Sequence, residues 1–253
     1  MTRPLLLAAL LLLAAAGPAP LPPAARPLSR LDLPWWSARL AEKARALRGG
    51  PVDLVWYGDS ITQDWEQAGP EPWRDFAPIW QRFYGDRHAI DLGFKGDTTS
   101  HLLWRIEHGE ADGISPRAAV VLIGANNFGK LHWSAGDTLL GIDAIVAALH
   151  AHLPRTRLIL LGVLPSIRSA WVDASTATLN AALATRYASD PMVAYVDVGS
   201  AVEQGGRADP AAFLDGQLRP PDPPLHPSAQ SQARIAALIE PAVAQAMGDG
   251  LHR

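Results

Sequence analysis

Leu54-Val55-Trp56-Tyr57-Gly58-Asp59-Ser60-Ile61-Thr62 runs from an unbroken apolar segment straight into a turn. A strand with one wet face alternates polar and apolar residues; this one does not, which predicts a strand buried on both faces in a helix-covered parallel sheet. Four similar runs follow, at Ala89 to Leu92, Ala119 to Ile123, Leu158 to Leu161 and Val193 to Val198. Helical patterns cover Thr98 to Gly109, Ser134 to His152, Trp171 to Tyr187 and Ser228 to Met247. The alternation predicts an α/β sandwich with a central parallel sheet. Ligands of such sheets gather beyond the carboxyl ends of the strands, so the turns after Tyr57, Leu92, Ile123 and Leu161 come first in the search for a site.

A chain of 253 residues, 48% hydrophobic, can fill the core of one such domain. Its net charge of −3 and the lack of any long Lys/Arg run argue against a nucleic-acid partner. With no cysteine there can be no disulfide, thiol nucleophile or thiolate metal site. Met1-Thr2-Arg3 followed by the apolar stretch Pro4 to Ala16 has the form of a secretory signal peptide, with Ala14 to Ala16 as the cleavage region. The apolar stretch is short for a membrane span, although an uncleaved anchor helix is the alternative. The Pro/Ala-rich segment Gly17 to Pro27 reads as an unpacked linker. The expectation is therefore a leader and linker over residues 1–27, one domain over 28–253, and export to the periplasm or the extracellular space without a stable membrane span.

Three of the four turns carry unusual side chains. Gly58-Asp59-Ser60 puts a hydroxyl at the end of the first strand, and a serine needs a base within reach before it is a nucleophile. Ser60 also reads as a helix cap, with Asp59 as turn former. Gly93-Phe94-Lys95-Gly96-Asp97-Thr98-Thr99 can offer the Gly96 N–H to a developing oxyanion, or simply cap a helix through Asp97 or Thr98. Gly124-Ala125-Asn126-Asn127 can present the Asn126 amide, or merely turn the chain. Near the C-terminus, Asp222-Pro223-Pro224-Leu225-His226-Pro227-Ser228 supplies the candidate base, His226. The other seven histidines read as surface or satisfied groups.

These four blocks, in this order, resemble the SGNH/GDSL hydrolases, whose name records Ser, Gly, Asn and His in successive blocks. The similarity runs from about Leu54 to the final helix and is nearest to the platelet-activating-factor acetylhydrolase Ib catalytic-subunit type. Gly93-x-x-Gly96-Asp97-Thr98-Thr99, His101-x-Leu103-Trp104-Arg105, Gly109-Glu110, Gly124-x-Asn126-Asn127 and Leu161-Gly162-x-Leu164-Pro165 carry it. The resemblance implies a flavodoxin-like three-layer α/β/α sandwich and a serine esterase with no metal or organic cofactor. It implies Ser60 as nucleophile, His226 as general base, and an oxyanion hole made by the Ser60 and Gly96 amides and the Asn126 side chain.

Two positions depart from the family pattern. The acid normally stands three residues before the histidine, where this chain has Pro223. Asp222, one residue further back, is the candidate acid, with Asp215 or a backbone carbonyl as alternatives for orienting the ring. Asp91 replaces a common Asn, and Lys95 stands where a small residue is usual; a cation there suits an anionic substrate or is simply solvated. Trp65, Trp73, Trp104 and Trp133 either shape a pocket or join the core. The expected partner is a small acylated glycan or lipid ester, with short acyl groups such as acetyl removed by hydrolysis. An O-acetyltransferase using the same acyl-serine and a non-catalytic glycan or lipid binder are the competing readings.

Overall fold

The structure, a computed structural model, describes residues 20–73, 75–219 and 221–252. The leader and its cleavage region lie outside the described residues. Five short strands form the sheet: β1 (Leu54–Gly58), β2 (Ala89–Gly93), β3 (Ala118–Leu122), β4 (Arg157–Leu161) and β5 (Val193–Val196). All are parallel and lie in the order β2-β1-β3-β4-β5. Every residue of β1 and β3 is buried, which is why neither strand alternates in polarity. The five apolar runs thus mark the five strands to within two residues, and the α/β sandwich expected from the sequence is the fold observed.

The helices are α1 (Pro34–Leu47), α2 (Ser60–Gln63), α3 (Phe76–Tyr84), α4 (Thr99–Arg105), α5 (Ala125–Gly129), α6 (Ala135–His152), α7 (Ala170–Arg186) and α8 (Ala229–Met247). From β1 the chain steps to β2 on one side, then crosses back to β3, β4 and β5 on the other. Right-handed crossovers require such a reversal to place helices on both faces of the sheet. Accordingly α6 packs beside α4 and α7, while α3 packs against α8. The reversal falls at β1, so the ends of β1 and β3 flank the crevice where α/β folds bind ligands.

Besides the short α2 and α5, which begin in turns read from the sequence, α1 and α3 have no counterpart in the sequence reading. α1 buries only Trp36, Lys43 and Leu47, too sparse a stripe to register as a helical period. α3 is short and carries Pro78 in its first turn, where a proline is tolerated. A second difference concerns residues 23–27. Pro23–Ala25 form a 3-10 turn with Ala24 and Ala25 buried, and Thr99 Oγ1 and Ser100 Oγ donate to the carbonyls of Ala24 and Pro23 at 2.8 and 2.6 Å. The packed domain therefore begins before residue 28, and this part of the expected linker is a strap over α4. Its small prolines and alanines fit closely between α4 and α6.

Candidate active site

Asp59 follows β1 and caps α2, its carboxylate accepting the Ile61 N–H at 3.0 Å. Ser60 is the first residue of α2, 5% exposed, at the carboxyl edge of the sheet. The turn is tight because α2 lies directly across the end of β2. A Cβ on Gly93 would come within 2.8 Å of the Asp59 carbonyl oxygen, so only glycine fits there.

His226 comes to Ser60 from 166 positions away, its Nε2 lying 2.9 Å from Ser60 Oγ. The segment before it pairs antiparallel with an earlier one. Leu214 N–H donates to the His226 carbonyl at 2.7 Å, Ser228 N–H donates to the Ala212 carbonyl at 2.8 Å, and Phe213 bridges Pro227. This pairing seats Asp215 beside the ring. Asp215 Oδ1 lies 2.7 Å from His226 Nδ1, and its Oδ2 accepts the N–H groups of Leu225 and His226, each at 2.6 Å.

Asp222 does not reach the histidine, which corrects its assignment as the candidate acid. It is exposed, and its contribution is a backbone N–H donated to the Asp215 carbonyl at 3.1 Å. The described residues between Gln217 and Leu225 form a loop that carries Asp222 outward while Asp215 and His226 stay paired. The alternative weighed from the sequence, Asp215, is the residue at the ring.

Gly96 has φ +77°, a conformation glycine adopts without strain. Among the described residues neither the Gly96 N–H nor the Ser60 N–H has a hydrogen-bond acceptor. Asn126, on α5, is differently placed: its Nδ2 donates to the Asp97 carbonyl at 2.9 Å and to Asp59 Oδ2 at 3.1 Å. Both amide hydrogens are engaged, so in this state Asn126 ties the Gly96 turn to the Ser60 turn.

Asp97 holds that turn from behind. It is fully buried, and its carboxylate accepts from Arg30 Nη1 at 2.9 Å, Trp36 Nε1 at 3.0 Å and Arg105 Nε at 2.9 Å. Arg105, also fully buried, pairs with Glu110, donates to the Gly58 carbonyl at 3.2 Å and stacks on Phe94 with its guanidinium carbon 4.0 Å from the ring centroid. Buried charges persist only when paired and hydrogen-bonded, as these are. Trp36 and Arg30 were invisible to motif reasoning because they lie in the segment before the first strand. Of the tryptophans considered as pocket walls, Trp65 is core, packed on Trp56, Trp80 and Tyr84, and Trp104 stacks on His108 and packs on Trp36.

The electrostatics favour a charged imidazole. Burial pulls the His226 pKa down, but the Asp215 hydrogen bond and the charges of Asp64, Asp215 and Asp59 more than offset it, leaving a net upward shift. Burial likewise pushes Asp215 up, and its bonds from His226 and the two backbone N–H groups bring it below the usual carboxylate range. Asp64 is a further site residue that the sequence reading missed. It stands one helical turn after Ser60, is 8% exposed, and its Oδ2 has no hydrogen-bond partner among the described residues. Burial raises its pKa to about 7, with His226 and Lys95 acting in the opposite direction. Burial similarly lifts Asp59 to about 6.

Comparison with known proteins agrees with this fold. The chain is 31% identical over 150 residues to platelet-activating factor acetylhydrolase IB subunit alpha2 of Homo sapiens, a match covering 59% of each chain. It spans 44% to 59% of the length of the curated relatives it matches first. Among solved structures, a GDSL-like lipase from Bacteroides thetaiotaomicron superposes with TM-score 0.62 at 19% identity, covering 84% of this chain and 97% of that one. A carbohydrate esterase family 3 protein from Talaromyces cellulolyticus gives TM-score 0.58 at 19% identity, covering 79% and 99%. At such identities the two structures attest the fold. The sequence pattern of the GDSL-like Lipase/Acylhydrolase family matches residues 56–234, a span that includes Ser60, Gly96, Asn126, Asp215 and His226, and the chain belongs to that family.

Proposed function

We propose that the chain is a serine carboxylester hydrolase that removes short acyl groups, such as acetyl, from glycan or lipid esters. The observation that carries this reading is the continuous relay from Ser60 Oγ through His226 to the Asp215 carboxylate. His226 Nε2 takes the Ser60 proton as Oγ attacks the ester carbonyl, and Asp215 holds the ring with its proton on Nδ1. The carbonyl oxygen becomes an oxyanion beside the Ser60 and Gly96 N–H groups, with Asn126 joining by turning one hydrogen away from Asp59. The tetrahedral centre collapses, the alcohol leaves with the proton held by His226, and the acyl group stays on Ser60. Water, deprotonated by the same ring, then attacks the acyl-serine and frees the acid.

Short acyl groups are supported by the small cavity lined by Ile61, Ala125, Val163, Leu164, Phe213 and Leu225, which holds only about 10 Å³. That is at most about one water molecule's worth of space, too little for a long chain. Glycan or lipid acetyl esters are consistent with what the relatives are named for, a platelet-activating factor acetylhydrolase and a carbohydrate esterase. Export rests on the leader pattern, and cleavage after Ala16 would leave the packed strap at Pro23 intact.

The test is hydrolysis of p-nitrophenyl acetate, butyrate and octanoate by the protein and by Ser60→Ala and His226→Ala. The reading expects turnover falling with chain length and collapsing in both variants. Turnover by Ser60→Ala equal to the parent would remove Ser60 as nucleophile. A protein that labels with a fluorophosphonate yet hydrolyses none of the esters would point to acyl transfer to a sugar instead. Mass measurement of the protein recovered from the medium or periplasm checks the leader.

A further inference from the structure

Two cationic side chains, Lys130 and Arg30, meet at the Gly96 turn, and a third, the exposed Lys95, directly precedes it. Lys130, just beyond α5, has its Nζ only 2.7 Å from where a Gly96 Cβ would stand, and Arg30 Nη1 is 3.4 Å from the same point. Arg30 also donates to the Lys95 carbonyl at 3.0 Å, so the Lys95 backbone is bound to the same cluster. Two of the nearby carboxylates are already engaged, while Asp64, on which the Lys95 charge acts, keeps one oxygen unpartnered among the described residues. Asp97 is bound by Arg30, Trp36 and Arg105, and Asp59 by Ile61 N–H and Asn126. Among the described residues, the ammonium groups of Lys95 and Lys130 have no hydrogen-bond or ion-pair partner.

Like charges held this close repel one another. Burial and the charges of Arg30 and Lys95 hold the Lys130 pKa below the usual ammonium value. The cluster is also not a sample of a basic surface, because the chain carries 22 Lys and Arg against 25 Asp and Glu. An anion seated between the two lysines would relieve the repulsion.

We propose that Lys95 and Lys130, backed by Arg30, form a subsite for an anionic oxygen group, a carboxylate or a phosphate, carried on the alcohol portion of the ester. The sheet order supplies the polarity. The small cavity is lined from the β4 end of the site, by Val163, Leu164 and Arg168, whereas Lys95 follows β2 on the opposite side of β1. An ester with its acyl group in that cavity therefore points its alcohol portion toward the cations. The inference rests on the esterase reading and adds the charge class of the substrate.

The experiment compares 4-acetoxybenzoate with its neutral methyl ester, in the parent protein, Lys130→Ala, Lys95→Ala, the double variant and Lys130→Arg. The expected result is a kcat/KM for the anion about tenfold above that for the neutral ester, equivalent to roughly 1.4 kcal/mol. This preference should fall toward unity in the double variant, through KM and not kcat, and return in Lys130→Arg. It should also shrink between low salt and about 0.5 M, as screening of exposed charges shortens to a few ångströms. Inhibition of neutral-ester hydrolysis by benzoate and by phenyl phosphate separates the two anion classes. Equal use of both esters by the parent, with a ratio the lysine variants do not move, overturns the subsite and leaves the esterase reading standing. Calorimetric binding of 4-acetoxybenzoate to Ser60→Ala, with and without Lys130→Ala, reads the subsite independently of turnover. Lys130-dependent binding without turnover by the parent would keep the subsite and sink the esterase reading, and binding that ignores Lys130 would sink the subsite.

Discussion

Asp215→Asn is almost isosteric, yet the site turns it into a change of tautomer. Asp215 Oδ2 accepts two backbone N–H groups at 2.6 Å each, while Oδ1 faces His226 Nδ1 at 2.7 Å. An asparagine has one oxygen, and the two N–H donors claim it; the reverse orientation would set an NH2 against both of them. The NH2 then faces Nδ1 and donates to it, so the ring must carry its proton on Nε2. That proton points at Ser60 Oγ, 2.9 Å away, and the ring has no lone pair left to accept from the serine. The same tautomer change in serine proteases costs about 10⁴ in kcat, and here a fall of roughly 10³ to 10⁴ is expected, about 4 to 5.5 kcal/mol in the barrier. The assay is kcat for p-nitrophenyl acetate, with fluorophosphonate labelling rate as a second readout and thermal unfolding to show that the variant folds. Asp222→Asn is the paired control, and because its exposed carboxylate touches nothing in the site it should stay within about twofold of the parent. If Asp215→Asn kept activity within tenfold, or Asp222→Asn collapsed, the tautomer argument would be refuted.

His226 must be neutral to take a proton, and its pKa is raised, so activity should be lost as pH falls through a value above the ordinary imidazole value of about 6.5. Asp64→Asn removes one charge that raises it and should move that acid limb to lower pH, read from kcat/KM against pH; an unmoved limb would show that Asp64 does not act on the ring. Asn126→Ala should lower kcat about 10²- to 10³-fold if the amide reaches the oxyanion, against a change within tenfold with intact folding if it only ties the two turns. Arg105→Leu strands Glu110 in the core and leaves Asp97 with Arg30 and Trp36 alone, and should cost about 3 to 5 kcal/mol in urea unfolding, a loss that a surface ion pair could not produce.

The strands were legible because their signal is local: an apolar run such as Ala119 to Ile123 reads the same whatever it packs against. So was the placing of Ser60, Gly96 and Asn126 at strand ends, since the sheet topology itself brings those ends together. Asp215 was only one of several alternatives, because its place depends on the antiparallel pairing of residues 212–215 with 226–228, and a loop holding Asp222 separates them. No spacing rule encodes that pairing. The same holds for Trp36 and Arg30, whose hold on Asp97 spans more than 60 positions. Asp64 had a local signal, one helical turn from Ser60, but an aspartate after a Gly-Asp-Ser turn reads first as a solvated residue. Only its burial marks it otherwise. The strap at Pro23–Ala25 was misread as linker because Pro and Ala suit both states, and the decision lies in the groove it meets.

The arrangement of charge around Ser60 is asymmetric in the direction the proposed reaction needs. Acyl transfer separates charge, placing a positive imidazolium on one side of Oγ and a negative oxyanion on the other. Asp215, Asp64 and Asp59 all favour the protonated ring, which helps His226 hold the proton until the alcohol takes it. On the other side the open N–H groups of Ser60 and Gly96 favour the opposite sign. Water would need to reorient to offer the same support, whereas these groups are fixed before the ester arrives. Asn126 sits between the two poles, bound to Asp59 on the acidic side and to the Asp97 carbonyl on the other. Burial already raises Asp59 to about 6, so the bond from Asn126 is made to a carboxylate that burial disfavours. Turning one amide hydrogen from Asp59 toward the oxyanion moves that bond from a carboxylate that burial already makes easier to protonate to the full charge formed on the reacting oxygen.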